Sequence, residues 1–436
     1  MRKTVLLFIA AVLLTAVSTG CYDRREVDDM AYVMAMGFDK GVNDRLRVTL
    51  QIVSLKGGGG GGAAGSEGEG GGGGGDKELG MVGNTMVVTV DAASFFTGLS
   101  LANAATARQL NLSHAKVLVF SEEIARGGEI ERYIAMLTRY REIRRTMEFI
   151  VSRGKAEDLI RENKNLIGRD PAKSLELLTQ QQNFTGLFPP VRLFDFYNAL
   201  KSMTRQPTAI LVDVNAFKNL KDARTGESPE SVTGTDFLAG QMPRKGGSKR
   251  EFFGAAVFTG PKMVGELTGT ETRALRMIAG DFRRGFISIK DPQAPDLFVP
   301  LDVRPARKPQ IKISFEDDTP MINVILHLEG DVLAIPSRIG YESPDLKPVL
   351  EQAFEQEIKS QIDSLIARCQ NEFNADIFGF GGSAVYYFPT IEEWERYRWN
   401  EKFPLARVST NVHFVIRRTG MMLKSSPIPS VGGGAE

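Results

Sequence analysis

An α+β fold of two or three mixed domains follows from three features of the sequence. Segments such as RLRVTLQIV (45–53) place apolar residues at every second position, the period of a strand with one buried face. Others, foremost KPVLEQAFEQEIKSQIDSLIARCQNEF (347–373), repeat them every three to four positions, the period of a helix that covers a sheet. Their order, antiparallel strands first and then mixed helices and strands, is not a regular βαβ repeat. At 436 residues, 42% hydrophobic and 25% charged, the chain has material for more than one core.

Residues 1–20 stand apart. Arg2 and Lys3, a run of 13 apolar or small residues from Val5 to Val17, and Ser18-Thr19-Gly20 before Cys21 follow the order of a secretory signal peptide. The run is shorter than the roughly 20 residues a membrane helix needs. Cys21 therefore reads as a lipid-attachment site: its thiol takes up diacylglycerol, Gly20-Cys21 is cut, and the new amino terminus is acylated. The plainer alternative is a cysteine that merely follows a signal sequence, and Ser18 stands where an aliphatic residue is usual. Two or more acyl chains hold a protein firmly to a bilayer where one does so only marginally. Asp23, Arg24, Arg25 and Glu26 then form a leash at headgroup level.

Residues 21–198 are expected to form an N-terminal α+β domain. Leu46, Val48, Leu50 and Ile52 alternate with Arg47, Thr49 and Gln51 as a half-buried strand, and TMVVTV from Thr85 is a second. The Gly-rich insertion 57–75 between them buries too little surface to offset its ordering entropy and is expected as a flexible tip joining two adjacent strands. It satisfies G-x-G-x-x-G only trivially, with no helix behind it. SFFTGLSLANAATARQL suits a helix capped by Ser94. HAKVLVFS is a strand, GEIERYIAMLTRY a helix with Ile130, Ile134 and Leu137 on one side, RTMEFIVSRG a strand, and AEDLIREN and PAKSLELLTQQQ further helix. A break is expected near FPPVRL and TRQPTA.

Residues 205–425 are expected as a C-terminal α+β domain with a possible small middle subdomain, 205–265, and a flexible tail, 426–436. A loop over 222–250 precedes FFGAAVF, TGPK and MVGEL as strand, turn and strand. Thr268 and Glu271 are spaced as a capping box. PQIKISFEDDTPMINVILHLEG is a hairpin turning at Asp317 to Pro320. On the long helix Leu350, Phe354, Ile358, Ile362, Leu365, Ile366, Cys369 and Phe373 form one stripe, which makes Cys369 a small core hydrophobe. A short helix at FPTIEEWERYRW and a strand at VSTNVHFVIRR complete the chain.

Chemistry is sparse. Fifty-four Lys and Arg against 53 Asp and Glu leave a net charge of +1, so no overall field recruits nucleic acid. His114, His327 and His413 are far apart in sequence, and H-E-x-x-H, C-x-x-C and G-x-S-x-G are absent. Neither a metal, a cofactor nor a catalytic set is expected. GFGGS (379–383) reads as a mobile connection in preference to an anion-binding turn. Trp394, Tyr397 and Trp399 read as core or interface.

Four blocks, in order over about residues 21–425, carry a resemblance to a known family. Cys21-Tyr-Asp-Arg-Arg-Glu with AYVMAMGFDK (31–40), SHAKVLVFSEEIARGG (113–128), FFGAAVFTGPKMVGELTGTETRAL (252–275), and Asp376, Phe378 and Gly379 before a Trp-rich helix resemble the Ger(x)C family, the lipoprotein C subunits of spore-germination nutrient receptors. The insertion at 57–75 and Ser18 depart from that pattern. The resemblance implies a non-catalytic subunit, lipid-anchored through Cys21 to the outer face of the spore inner membrane, beside membrane-embedded A and B subunits. The competing reading is an extracytoplasmic solute-binding lipoprotein of a transporter, which should show two similar lobes of repeated βα units.

Overall fold

The computed structural model describes residues 2–5, 29–53, 81–82, 85–162, 177–217 and 234–420. Cys21, the insertion 57–75 and the tail 426–436 lie outside the described residues. Helices and strands alternate in two sheets, an α+β architecture.

The first sheet has ten strands. Near its middle is β1 (Met30–Lys40), with β2 (Leu46–Val53) antiparallel on one side, followed outward by β4 (Thr85–Ala92) and the short β3 (Met81–Val82). On its other side β5 (Gln109–Asn111) and then β6 (Val117–Ser121) run parallel to it. β7 (Glu148–Ser152) and β8 (Thr208–Val214) extend the parallel set, and β9 (Arg250–Thr259) and β10 (Lys262–Leu267) close the edge antiparallel. Residues 208–267, expected beyond a break near residue 200, thus hydrogen-bond into the first sheet.

The connecting helices cover both faces. They are α1 (Phe95–Ala104), α2 (Glu122–Gly127), α3 (Ile130–Leu137), α4 (Ala156–Arg161), α5 (Gln182–Thr185) and α6 (Leu193–Lys201). Ser94 caps α1 by accepting from Thr97 N, as its sequence predicts. β2 departs from its expected half-burial: Thr49 and Gln51 are buried as well, because α1 and α4 both pack against it. These polar groups stay satisfied inside. The Thr49 and Thr89 hydroxyls lie 3.2 Å apart, and Gln51 Nε2 donates to Thr85 Oγ1.

One face carries a row of rings. From Phe95 through Phe38, Phe120, Phe149 and Phe196 to Phe258, successive centroids are 5.5, 5.0, 5.5, 4.0 and 5.0 Å apart, all but the close Phe149–Phe196 stack lying within the range aromatic pairs prefer. On the opposite face Gly37 makes room for α4; a Cβ there would lie 2.6 Å from Ile160 Cδ1.

The second sheet comprises β11 (Gly285–Lys290), β12 (Phe298–Pro305), β13 (Gln310–Glu316), β14 (Thr319–Val332) and β15 (Arg407–Arg418). β12 and β13 lie end to end along one edge of β14, and β15 runs parallel along its other edge. Asp317 and Asp318, with φ of 45° and 70°, make the β13 to β14 turn, the left-handed pair that a tight hairpin requires. After α7 (Gly269–Ala279), α8 (Lys347–Arg368) lies against this sheet. Its predicted stripe is buried throughout, and Phe354 stacks on Phe414 at 5.0 Å. The helix ends in a wider turn, Cys369–Phe373. Short helices α9 (Gly381–Ala384), α10 (Ile391–Tyr397) and α11 (Trp399–Lys402) follow, burying Trp394, Tyr397 and Trp399.

β9 belongs to both cores. Phe253, Ala256 and Phe258 face the first, and Ala255 and Val257 face the second. A strand buried on both sides needs an unbroken apolar run, which FFGAAVF supplies.

Candidate functional site

Three of the four sequence blocks lie where one part of the fold grips another. In the first block, Asp39, next to last in β1, accepts from Ala156 N at 2.7 Å and Glu157 N at 2.9 Å. It thereby supplies the cap that α4 lacks from its own Lys155. Burial pushes the Asp39 carboxyl up, against the pull of those two N–H groups.

The third block builds the seam between the sheets. Gly254, at φ 83°, brings its backbone to within 2.2 Å, for a would-be Cβ, of Leu267 O, and Gly265 leaves a gap that Phe373 fills, 2.1 Å from where a Cβ would stand. No side chain fits either place. Thr268 and Glu271 form the predicted capping box on α7, and Glu271 also pairs with Arg368 of α8. Along α7, Arg273 Nε donates to Thr185 O at 2.8 Å. Arg276, 1% exposed, donates from Nη1 to Gln182 O and Phe188 O, from Nη2 to Asp281 O at 2.8 Å, and from Nε to Asp281 Oδ1 at 2.9 Å. A buried guanidinium is tolerable only when its donors are met in this way. Sequence reasoning missed Arg276, because its helical position says nothing of a carbonyl 94 residues away.

The fourth block closes the seam. The N–H groups of Phe378 and Gly379 donate to Asp376 Oδ1, and Gly381 N and Trp399 Nε1 donate to Oδ2, all at 2.9 to 3.1 Å. GFGGS, expected as a mobile connection, is instead an ordered turn wrapped around the chain's own buried carboxylate. Burial still pushes that carboxyl up. The backbone carbonyl of Asp376 accepts from Gln206 N at 2.7 Å, and Gln206 Oε1 accepts from Gly260 N at 2.7 Å, which ties this turn to the first sheet.

The other residues singled out in the sequence fall elsewhere. Cys21 is outside the described residues; the chain is described again from Asp29 and enters β1 at Met30. Cys369 is a buried free thiol, pushed well up by burial. His114 is exposed, its ring 4.7 Å from Tyr32. His327 and His413, 86 residues apart in sequence, sit in register on β14 and β15 with rings 5.0 Å apart. Burial, then the neighbouring His413 and Arg307, hold His327 below the usual imidazole range. Among the described residues no three His, Cys, Asp or Glu side chains converge as a metal set, and no helix is long and apolar enough to cross a membrane. A cleft of about 590 Å³ opens at the carboxyl ends of β1, β6 and β7, lined by Lys40, Arg47, Arg126 and Arg153 among others. There Lys40 pairs with Glu123, Arg47 with Asp91, Arg126 with Glu122 and Arg153 with Glu266.

The chain is similar to known proteins. Residues 23–214 match the family model described as spore germination protein N-terminal domain, and residues 253–420 match spore germination B3/GerAC like, C-terminal. The chain is 23% identical to spore germination protein KC of Bacillus subtilis (strain 168), over 98% of each chain. It is 22% identical to spore germination protein YndF of the same strain, over 96% of this chain and 97% of that one. Among solved structures, the crystal structure of the GerBC protein superposes with a TM-score of 0.51 at 15% identity, covering 88% of this chain and 96% of the other. With both family models matched in order around one seam, the chain belongs to the Ger(x)C family of spore-germination proteins.

Proposed function

We propose that this protein is the non-catalytic lipoprotein subunit of a nutrient germinant receptor. Lipidated Cys21 holds it on the outer face of the spore inner membrane, where it docks to the membrane-embedded A and B subunits and supports receptor assembly or signal transmission. The observation that carries the reading is the match of two germination-family models across nearly the whole chain. The seam is in keeping with it: the third and fourth of the blocks that mark the family fasten one unit to the other, as a scaffold or relay requires. Replacing Cys21 with Ala, in spores lacking redundant receptors, is expected to abolish or slow germination on amino acids and sugars, followed as loss of optical density. A normal response to every nutrient tried would overturn the assignment.

One feature favours a second reading, a solute-binding lipoprotein of a transporter. The 590 Å³ cleft lies outside the carboxyl ends of parallel strands, where open sheets commonly hold ligands. Calorimetry of the protein with amino acids and sugars separates the two; tight binding favours the transporter reading.

A further inference from the structure

The leash that carries Cys21 enters the first sheet at the amino-terminal end of β1, and β5, β6, β7 and β8 run parallel to β1. The segments leading into these strands therefore gather at the leash end. Arg108 immediately precedes β5, whose Gln109 is in register with Met30. Lys116 immediately precedes β6. Arg139, Arg144 and Arg145 lie on the connection into β7, which is fixed beside β5 and β6 by Leu112 N donating to Glu142 Oε2 and Glu148 N donating to Lys116 O. All five side chains are exposed. Among the described residues none of the five has an acidic partner.

The other end of the same strands is different. There Lys40, Arg47, Arg126 and Arg153 each sit against a carboxylate. Among the described residues the acids at the leash end are four: Asp29 is exposed, Glu142 accepts a backbone N–H, Glu148 is half-buried, and Asp195 accepts Arg192 N. Among the described residues of a chain with net charge +1, positive charge without a carboxylate partner thus gathers at this end. From Cys21 to Met30 the leash spans at most roughly 30 Å even fully extended, within which a bilayer surface is always close.

We propose that Arg108, Lys116, Arg139, Arg144 and Arg145 form a docking surface for anionic lipid headgroups, which turns the leash end of the first sheet toward the bilayer. The surface fixes orientation where the acyl chains fix only attachment, the pairing of a lipid anchor with a basic patch. The proposal rests on the anchoring of Cys21 given above.

The test uses the lipidated protein reconstituted on vesicles, with Thr146→Cys labelled by a fluorescent donor and an acceptor on a lipid headgroup. Thr146 is exposed next to Arg145, and Cys369 is buried, so with Cys21 acylated the label is specific. Energy transfer is expected to be higher with phosphatidylglycerol in the vesicles than with phosphatidylcholine alone, and to fall in high salt. In the triple variant Arg139→Gln, Arg144→Gln, Arg145→Gln, the ratio of docked to undocked protein should drop on the order of a hundredfold, about fivefold per charge. An anchored protein whose transfer ignores both lipid charge and the triple replacement overturns the proposal. So does a variant that docks normally on vesicles but no longer co-purifies with an acidic protein, which would assign the patch to that partner. A chain that washes off both kinds of vesicle has no anchor; that result overturns the parent reading along with this one and is told apart by the lost attachment itself.

Discussion

Single carboxylates here do opposite things according to what surrounds them. Asp91 accepts from Arg47 and from the N–H groups of Val42 and Asn43, and its carboxyl is held well below the usual range, chiefly by the Arg47 contact. Glu148, at the start of β7, is pushed up to about 7 by burial, with Arg192 pulling down and Asp195 pushing up. Its folded pKa lies above the 4.5 of an ordinary glutamate, so its contribution is fully present below pH 4.5 and is lost as pH rises through about 7. Glu148→Gln is therefore expected to be more stable than the parent at pH 8, by about 1 to 2 kcal/mol after allowance for solvent, and to show no such gain at pH 4. Urea denaturation at the two pH values checks this; an equal shift at both would refute the assignment.

Among the elements, β15 shows how a sheet edge is managed. Phe414 N and Ile416 N, which point away from β14, donate to Glu355 Oε1 at 2.8 Å and Glu351 Oε1 at 2.7 Å of α8. A free edge of this length is a template for another strand, and two glutamates occupy it. The double variant Glu351→Ala, Glu355→Ala is expected to lose about 1 to 3 kcal/mol and to self-associate with rising concentration. Sedimentation velocity would show it, and a variant that stays monomeric at all concentrations would mean that the glutamates do not guard the edge. Much at this scale was legible in the sequence. The Ser94 cap, the Thr268 and Glu271 capping box and the stripe on α8 depend on spacing within one segment, and each appears where spacing placed it. What pairs distant segments was not legible. The burial of Thr49 and Gln51 needs a helix on each face of β2, the wrapping of Asp376 needs Trp399, and the pairing of His327 with His413 needs the register of β14 and β15.

For the molecule as a whole, cooperativity should run through Arg276. With Met in its place, the carbonyls of Phe188 and Asp281 lose the guanidinium, that of Gln182 keeps only Gly186 N, and the Asp281 carboxylate loses its ion pair. The Asp281 side chain is 42% exposed and can rehydrate, so the loss comes mainly from the unmet buried carbonyls and is about 1 to 3 kcal/mol. Differential scanning calorimetry is expected to show the single transition splitting in two as the sheets uncouple, with new proteolytic cuts near residues 182–188. One transition at an unchanged midpoint would mean that β9 alone joins the two cores.

The position of β1 has a mechanical meaning. It is clasped along its length by β2 on one flank and by β5 and β6 on the other. A pull applied at Met30 along the strand axis loads those rungs together, in shear, and cannot peel them apart one at a time. A body moored by that strand would transmit a tug to its whole interior before it gave way.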